Sequence, residues 1–118
     1  MQRHWFDVHP FSRLEGDNRF REPIELWVSE GFFDRLCGIF RCHGAPVLLR
    51  RCNAVHGIGL AKSIFVVFLD SDWVVLNRPR VLHPWSITWL SSAAHVLESY
   101  GFLELAPGDR LHLRELGF

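Results

Sequence analysis

The sequence predicts a mainly β (α+β) fold: a small rolled sheet or partly closed β-barrel with one short helix near residues 30-38. Three observations point there. Short apolar or alternating runs recur along the chain at close spacing. One of them, "SIFVVFL" (residues 63–69), is apolar from Ile64 on and rich in β-branched residues, as a strand buried on both faces requires. A single segment, "FFDRLCGIF", changes to helical spacing. Closure or rolling is favoured because it removes exposed sheet edges.

Taken in order, residues 1–22 show no clean period, and Gly16, Asp17, Asn18 and Pro23 are breakers. They read as an irregular N-terminal arm preceding a single β-rich domain over residues 23–118. Trp5, Phe6, Phe11 and Phe20 suggest that the arm packs on that domain, since free arms are poor in aromatics. "IELWVSE" (24–30) alternates, with Ile24, Leu26 and Val28 on one face. In the helical segment, Phe32, Phe33, Leu36, Ile39 and Phe40 share a face, Ser29 can cap the start and Gly38 weakens the end. "PVLLRRC" (46–52) and "AVHGI" (54–58) read as short strands. "WVVLN" (73–77) reads as the hairpin partner of the central run, after the turn "DSD". "AHVLES" (94–99) and "DRLHLREL" (109–116) complete the set, the latter after the turn "APGD".

At 118 residues the chain is long enough to bury a core without staples. Its 13 bases and 13 acids cancel, so no global field recruits nucleic acid or an anionic membrane. Nucleic-acid binding through Arg50, Arg51, Arg78 and Arg80 is weak for that reason. Cys37, Cys42 and Cys52 are an odd number, which argues for a reducing compartment. The charged first residues lack the apolar stretch of a signal peptide. No apolar run reaches the roughly 18 residues needed to cross a bilayer. A cytoplasmic protein with no membrane span is expected.

The order of the motifs is similar to that of the small bacterial and archaeal proteins named domain of unknown function 192 (DUF192). The matching pieces are "LWVSEGFFDRLCGIF" with Arg35 and Gly38, "CNAVHGIGL", "SIFVVFLD", "VLHPW", "VLE" and "PGDRLHL", covering roughly residues 24–114. Leu60 stands where the family has Met, Phe65 where it has Asp, and Trp73 where it has Gly. The resemblance implies a compact β-rich fold and carries no established reaction.

Candidate chemistry centres on few residues. Arg35 lies among Phe, Leu and Cys, so it either snorkels or pairs with a carboxylate, for which Asp34, Asp70 and Glu98 are candidates. Arg35, His56, Trp85 and Asp70 form the expected ligand-binding set. A metal at Cys52 and His56 is the alternative, but a C-x₃-H spacing is not a standard zinc pattern. A Cys52–His56 nucleophile pair lacks a nucleophile elbow or a Gly-rich oxyanion loop. Trp85 and Trp89, four apart in "HPWSITWL", are either packing or an exposed aromatic patch. The expected function is a non-enzymatic module binding a small ligand or a protein, without a cofactor. The alternative is a small enzyme, hydrolase-like or metal-dependent, using His56.

Overall fold

Strand β5 (Ile64–Leu69) is the centre of the molecule, and its sequence says why. Ile64, Val66 and Phe68 face one apolar cluster, and Val67 and Leu69 face another. No polar side chain interrupts it, so both sides can be dry. The computed structural model describes residues 2–10, 23–28 and 46–113. The expected helix near residues 30-38 lies outside the described residues, as do Arg35, Cys37 and Cys42.

The described chain is all β. Strands β1 (Gln2–His9), β2 (Ile24–Val28), β3 (Val47–Arg50), β5, β6 (Arg80–Leu82), β8 (His95–Ser99) and β9 (Arg110–Leu113) form one mixed sheet in the order β6-β5-β8-β3-β2-β1-β9. Strands β4 (Ala54–His56) and β7 (Ile87–Trp89) form a separate two-stranded antiparallel ribbon. Only β2 and β3 run parallel; the remaining pairs of the large sheet are antiparallel.

The sheet has two buried faces. One carries Phe6, Val8, Leu26, Val28, Leu48, Val67, Leu97 and Leu111; the other carries Val47, Leu49, Val66, Phe68 and Val96. Neighbouring residues of β3, β5 and β8 alternate between the two faces, as the pleat requires. The ribbon covers part of the second face through Val55, with Leu60 and the half-buried Leu90 beside it.

The sheet rolls but is not a closed barrel. Its strand order ends in β6 and β9. Between β5 and β9 lies Trp73–Leu76, which touches both through the bridges Leu69↔Val75 and Val74↔Arg110. Val75 N–H donates to Asp109 O at 2.7 Å and Leu76 N–H to Phe68 O at 2.8 Å. Asn77 extends the same edge with its side chain: its Oδ1 accepts the Phe68 N–H at 2.7 Å. Segment 73–77 returns antiparallel against the end of β5 as expected, though as isolated bridges and not as a full strand, with Asp70 N–H also donating to Val74 O at 3.0 Å. The same edge of β5 is continued by β6, in the register Ile64↔Leu82.

The N-terminal segment corrects the expectation of an irregular arm. Residues 2–9 are a strand between β2 and β9. Its alternation is real but masked in the sequence. Phe6 and Val8 point into the core, while the outward positions carry Trp5 and His9 and so do not look polar throughout. The decisive partners, β2 and β9, are distant in sequence.

Candidate functional site

Two adjoining features carry polar and aromatic groups that the core does not use. The first is the β4–β7 ribbon. Val55 and Thr88 pair in register and Val55 is buried beneath the ribbon. The alternate positions, His56 opposite Ile87 and Ala54 opposite Trp89, therefore face outward. Trp85 is 75% exposed, Trp89 63%, Ile87 62% and Ile58 53%. Four large apolar side chains are thus left exposed on or next to the ribbon.

Glycine makes the ribbon possible. A Cβ on Gly57 would sit 2.4 Å from His83 O, a backbone atom that cannot swing aside. The close approach lets Gly57 N–H donate to Ser86 O (2.7 Å) and Trp85 N–H to Gly57 O (2.9 Å). Gly59, at φ 84°, is the third residue of a turn closed by Leu60 N–H to Gly57 O. The glycines of "CNAVHGIGL" thus fold a turn against the His83–Ser86 turn.

That second turn is strained. Ser86 N–H donates to His83 O, Pro84 is second and Trp85 is third with φ 66°. This is the arrangement of a type II turn, whose third position normally needs Gly. A bulky side chain there is an outlier.

The second feature is an open cleft of about 600 Å³ lined by Arg51, Cys52, Asn53, Ala54, Ser71 and His95 among others. His95 opens β8 and is 8% exposed. Trp73 stacks on it, with ring centroids 4.2 Å apart and planes at 13°. Its Nδ1 accepts the Arg51 N–H at 3.1 Å. Burial first, then the nearby Arg50, lowers its pKa, with Asp70 acting the other way. Trp73 also sits at φ 66°, where the DUF192 pattern has Gly, but here packing against His95 and Phe6 offsets the strain.

The expected site residues separate. His56 and Trp85 come together on the ribbon. His56 is exposed and its Nδ1 accepts the Ile58 N–H at 3.3 Å; among the described residues no nucleophile or carboxylate is hydrogen-bonded to it. Asp70 belongs to the cleft side, where its Oδ1 accepts the N–H groups of Asp72 (2.8 Å) and Val74 (3.0 Å) and so holds its own turn. Arg35 lies outside the described residues. Cys52, half-buried, donates its thiol to Ala54 O at 3.0 Å. Among the described residues no group of three or more His, Cys, Asp or Glu is placed to hold a metal.

Glu98 is a further ionisable group inside the fold. It lies on β8 between Val47 and Val66, 6% exposed, and burial pushes its carboxyl up to about 7. His95 escaped the sequence reading, and Arg51 entered it only among the arginines weighed for nucleic-acid binding. "AHVLES" looks like any strand, and only the neighbouring loops turn its first residue into the wall of a cleft.

No family model matches the chain. The membership in DUF192 that its motifs suggest is therefore not confirmed. No curated protein matches it either. The fold has a solved counterpart: a protein of unknown function from Novosphingobium aromaticivorans DSM 12444, whose crystal structure is at 1.22 Å resolution. The two share 15% identity with a TM-score of 0.69, over 92% of this chain and 83% of that one. At this identity the likeness speaks for the architecture alone. The protein is thus a β-rich chain resembling a bacterial protein of unknown function.

Proposed function

We propose that this chain is a non-catalytic protein-binding module, and that the β4–β7 ribbon is its recognition surface. The observation that carries the reading is Trp85. The fold holds it at φ 66°, a conformation that costs about 1–2 kcal/mol, yet leaves it 75% exposed. Intramolecular packing does not repay that strain, and strained residues concentrate at functional positions. Trp is also the residue type most enriched among binding hot spots.

Charge defines the partner. Residues 52–69 and 73–97, which build the ribbon and its surroundings, contain no Asp or Glu, while Lys62, Arg78 and Arg80 fall within them. Arg80 borders the ribbon directly, with its Nη1 3.3 Å from Thr88 Oγ1 and 3.4 Å from Trp89 O. An apolar surface with a basic rim fits an acid-bearing segment of a partner protein with aromatic or aliphatic anchors.

Selection from a random displayed-peptide library on the purified chain tests this. The expected peptides carry apolar anchors flanked by Asp or Glu, and their affinity falls with salt. Trp85→Gly combined with Trp89→Ala weakens them by roughly 30-fold or more. Basic peptides, or binding indifferent to both changes, would sink the proposal.

A further inference from the structure

We propose that His95 is a proton-sensitive latch at the root of the β4–β7 ribbon. Resting on the ribbon as the recognition surface, it makes that surface looser in acid.

The latch is one hydrogen bond. His95 Nδ1 accepts the backbone N–H of Arg51 at 3.1 Å. A ring nitrogen accepts only while it carries no proton, and an imidazolium is a donor at both nitrogens. Protonating His95 therefore sets two donors against each other and removes the bond. The setting of the ring opposes its turning aside. It is 8% exposed and stacked on Trp73 with planes at 13°, and an indole face attracts an imidazolium. The loop is the part that gives way. Arg51 is left-handed, at φ 55°, a backbone that a residue other than Gly keeps only while its surroundings hold it there.

The ribbon is anchored on that loop. Strand β4 starts at Ala54, and Asn53 O just before it accepts the N–H of Leu90, the first residue after β7, at 3.0 Å. Both strands of the ribbon are thus tied at this end to residues 51–53. Those residues are held to β8 by the His95 bond and by Cys52 N–H donating to Ala94 O at 3.0 Å.

The charges around the ring set the direction of the switch. Among the described residues, β3 places Arg50 opposite His95 in register, the loop after it carries Arg51 and Cys52, and Asp70 follows the end of β5. Trp73 brings no charge. Burial first, then Arg50, keep the ring neutral against the pull of Asp70, and Arg51 adds to them. The bond is therefore made at neutral pH and is lost as pH falls through a value below 6.5. Glu98 acts the other way, since its protonated form is the one the fold favours. Acid thus loosens the root of the ribbon while the central sheet holds.

NMR of the full chain between about pH 7.5 and about pH 4.5 tests this without any ligand. It follows the His95 ring nitrogens and, at each pH, amide exchange corrected for its intrinsic pH dependence. At the upper limit Nδ1 is expected unprotonated and the Arg51 amide protected. As the ring takes up its proton, Arg51 protection falls roughly 5- to 10-fold, the loss of one hydrogen bond, with the midpoint of the ring titration. Cys52 and Leu90 follow, and the amides of β5 keep their protection. His95→Asn, whose Oδ1 accepts in place of Nδ1 and does not titrate, removes the pH dependence. Agreement of the ring and amide midpoints in the wild type keeps the test decisive if that variant folds poorly. Trp85→Gly leaves both curves unchanged, and peptide selection near pH 7.5 probes the ribbon with the latch closed, so failure of the ribbon reading and failure of this one are distinguishable. A ring that stays neutral throughout, or Arg51 protection that is flat across the ring titration, overturns the latch. A loss that stops at Arg51 overturns its hold on the ribbon.

Discussion

The turns His83–Ser86 and Ala106–Asp109 are built alike and finished differently. Each is closed by a backbone bond from its fourth residue to its first, 3.2 Å in one and 3.0 Å in the other. Each has proline second. In each the third residue is left-handed, at φ 66° and φ 93°. One has Gly108 there and the other Trp85. Gly108 meets the backbone's demand, and its N–H donates to Val75 O at 2.9 Å. Its turn feeds β9 into the sheet, with Asp109 Oδ2 accepting the Ala106 N–H at 2.9 Å. Trp85 meets the same demand badly and projects an indole into solvent. The difference separates a turn whose residues serve the fold from one whose side chain serves something outside it.

The largest expected effect sets the conditions for comparing the two. Glu98 titrates near 7 in the fold, against 4.5 when unburied. Between these values the folded state holds a proton that the unfolded chain has released. Stability is therefore fully present below about 4.5 and is lost as pH rises through about 7. The loss is on the order of 3 kcal/mol. Urea denaturation of wild type and Glu98→Gln across this range checks it, and the variant should lose most of the slope. Comparing the two chains cancels His95, whose lowered pKa acts in the opposite direction. Parallel pH profiles would refute the assignment.

Next in size is Gly57→Ala. Its Cβ would meet the carbonyl of His83 and push the strained turn off the ribbon, at about 1–3 kcal/mol. Chemical denaturation measures the loss. Amide exchange at Trp85 and Ser86 should rise more than in β5, because the damage is local. Uniform acceleration would mean that the ribbon is not a separable unit.

Smaller again is Gly108→Ala, which places a Cβ at φ 93° and should cost about 1–2 kcal/mol. Trp85→Gly is its mirror image, leaving stability unchanged or raising it by up to about 1 kcal/mol. Thermal melts of the two variants read the comparison directly. A clear loss of stability in Trp85→Gly would show that the indole serves the fold after all.

Much of this was legible in the residues. Ile24, Leu26 and Val28 alternate as β2 and pack on one core face, Ile24 half-buried. The run 64–69 is a central strand because nothing in it is polar enough to need water. The pieces 46–52, 54–58, 94–99 and, within the described residues, 109–113 each contain a strand. These elements were readable because burial leaves a local imprint: period two when one face is dry, unbroken apolarity when both are.

What the chain could not announce is what depends on partners far away in sequence. Strand β1 exists because β2 and β9 flank it, and its outward Trp5 hides the alternation. Residues 73–77 return on β5 as their pattern says, but that they share its edge with β6 and reach across to β9 depends on those distant strands. The same separation governs function. His56 and Trp85 were visible as residue types, and Gly57 decides that they share a surface. His95 is one letter in a strand until Arg51, 44 positions earlier, fixes its Nδ1 and Trp73 covers its ring. Composition and period set which residues are buried. Only the folded backbone, by bringing distant turns within hydrogen-bonding range, decides which of the rest stand together.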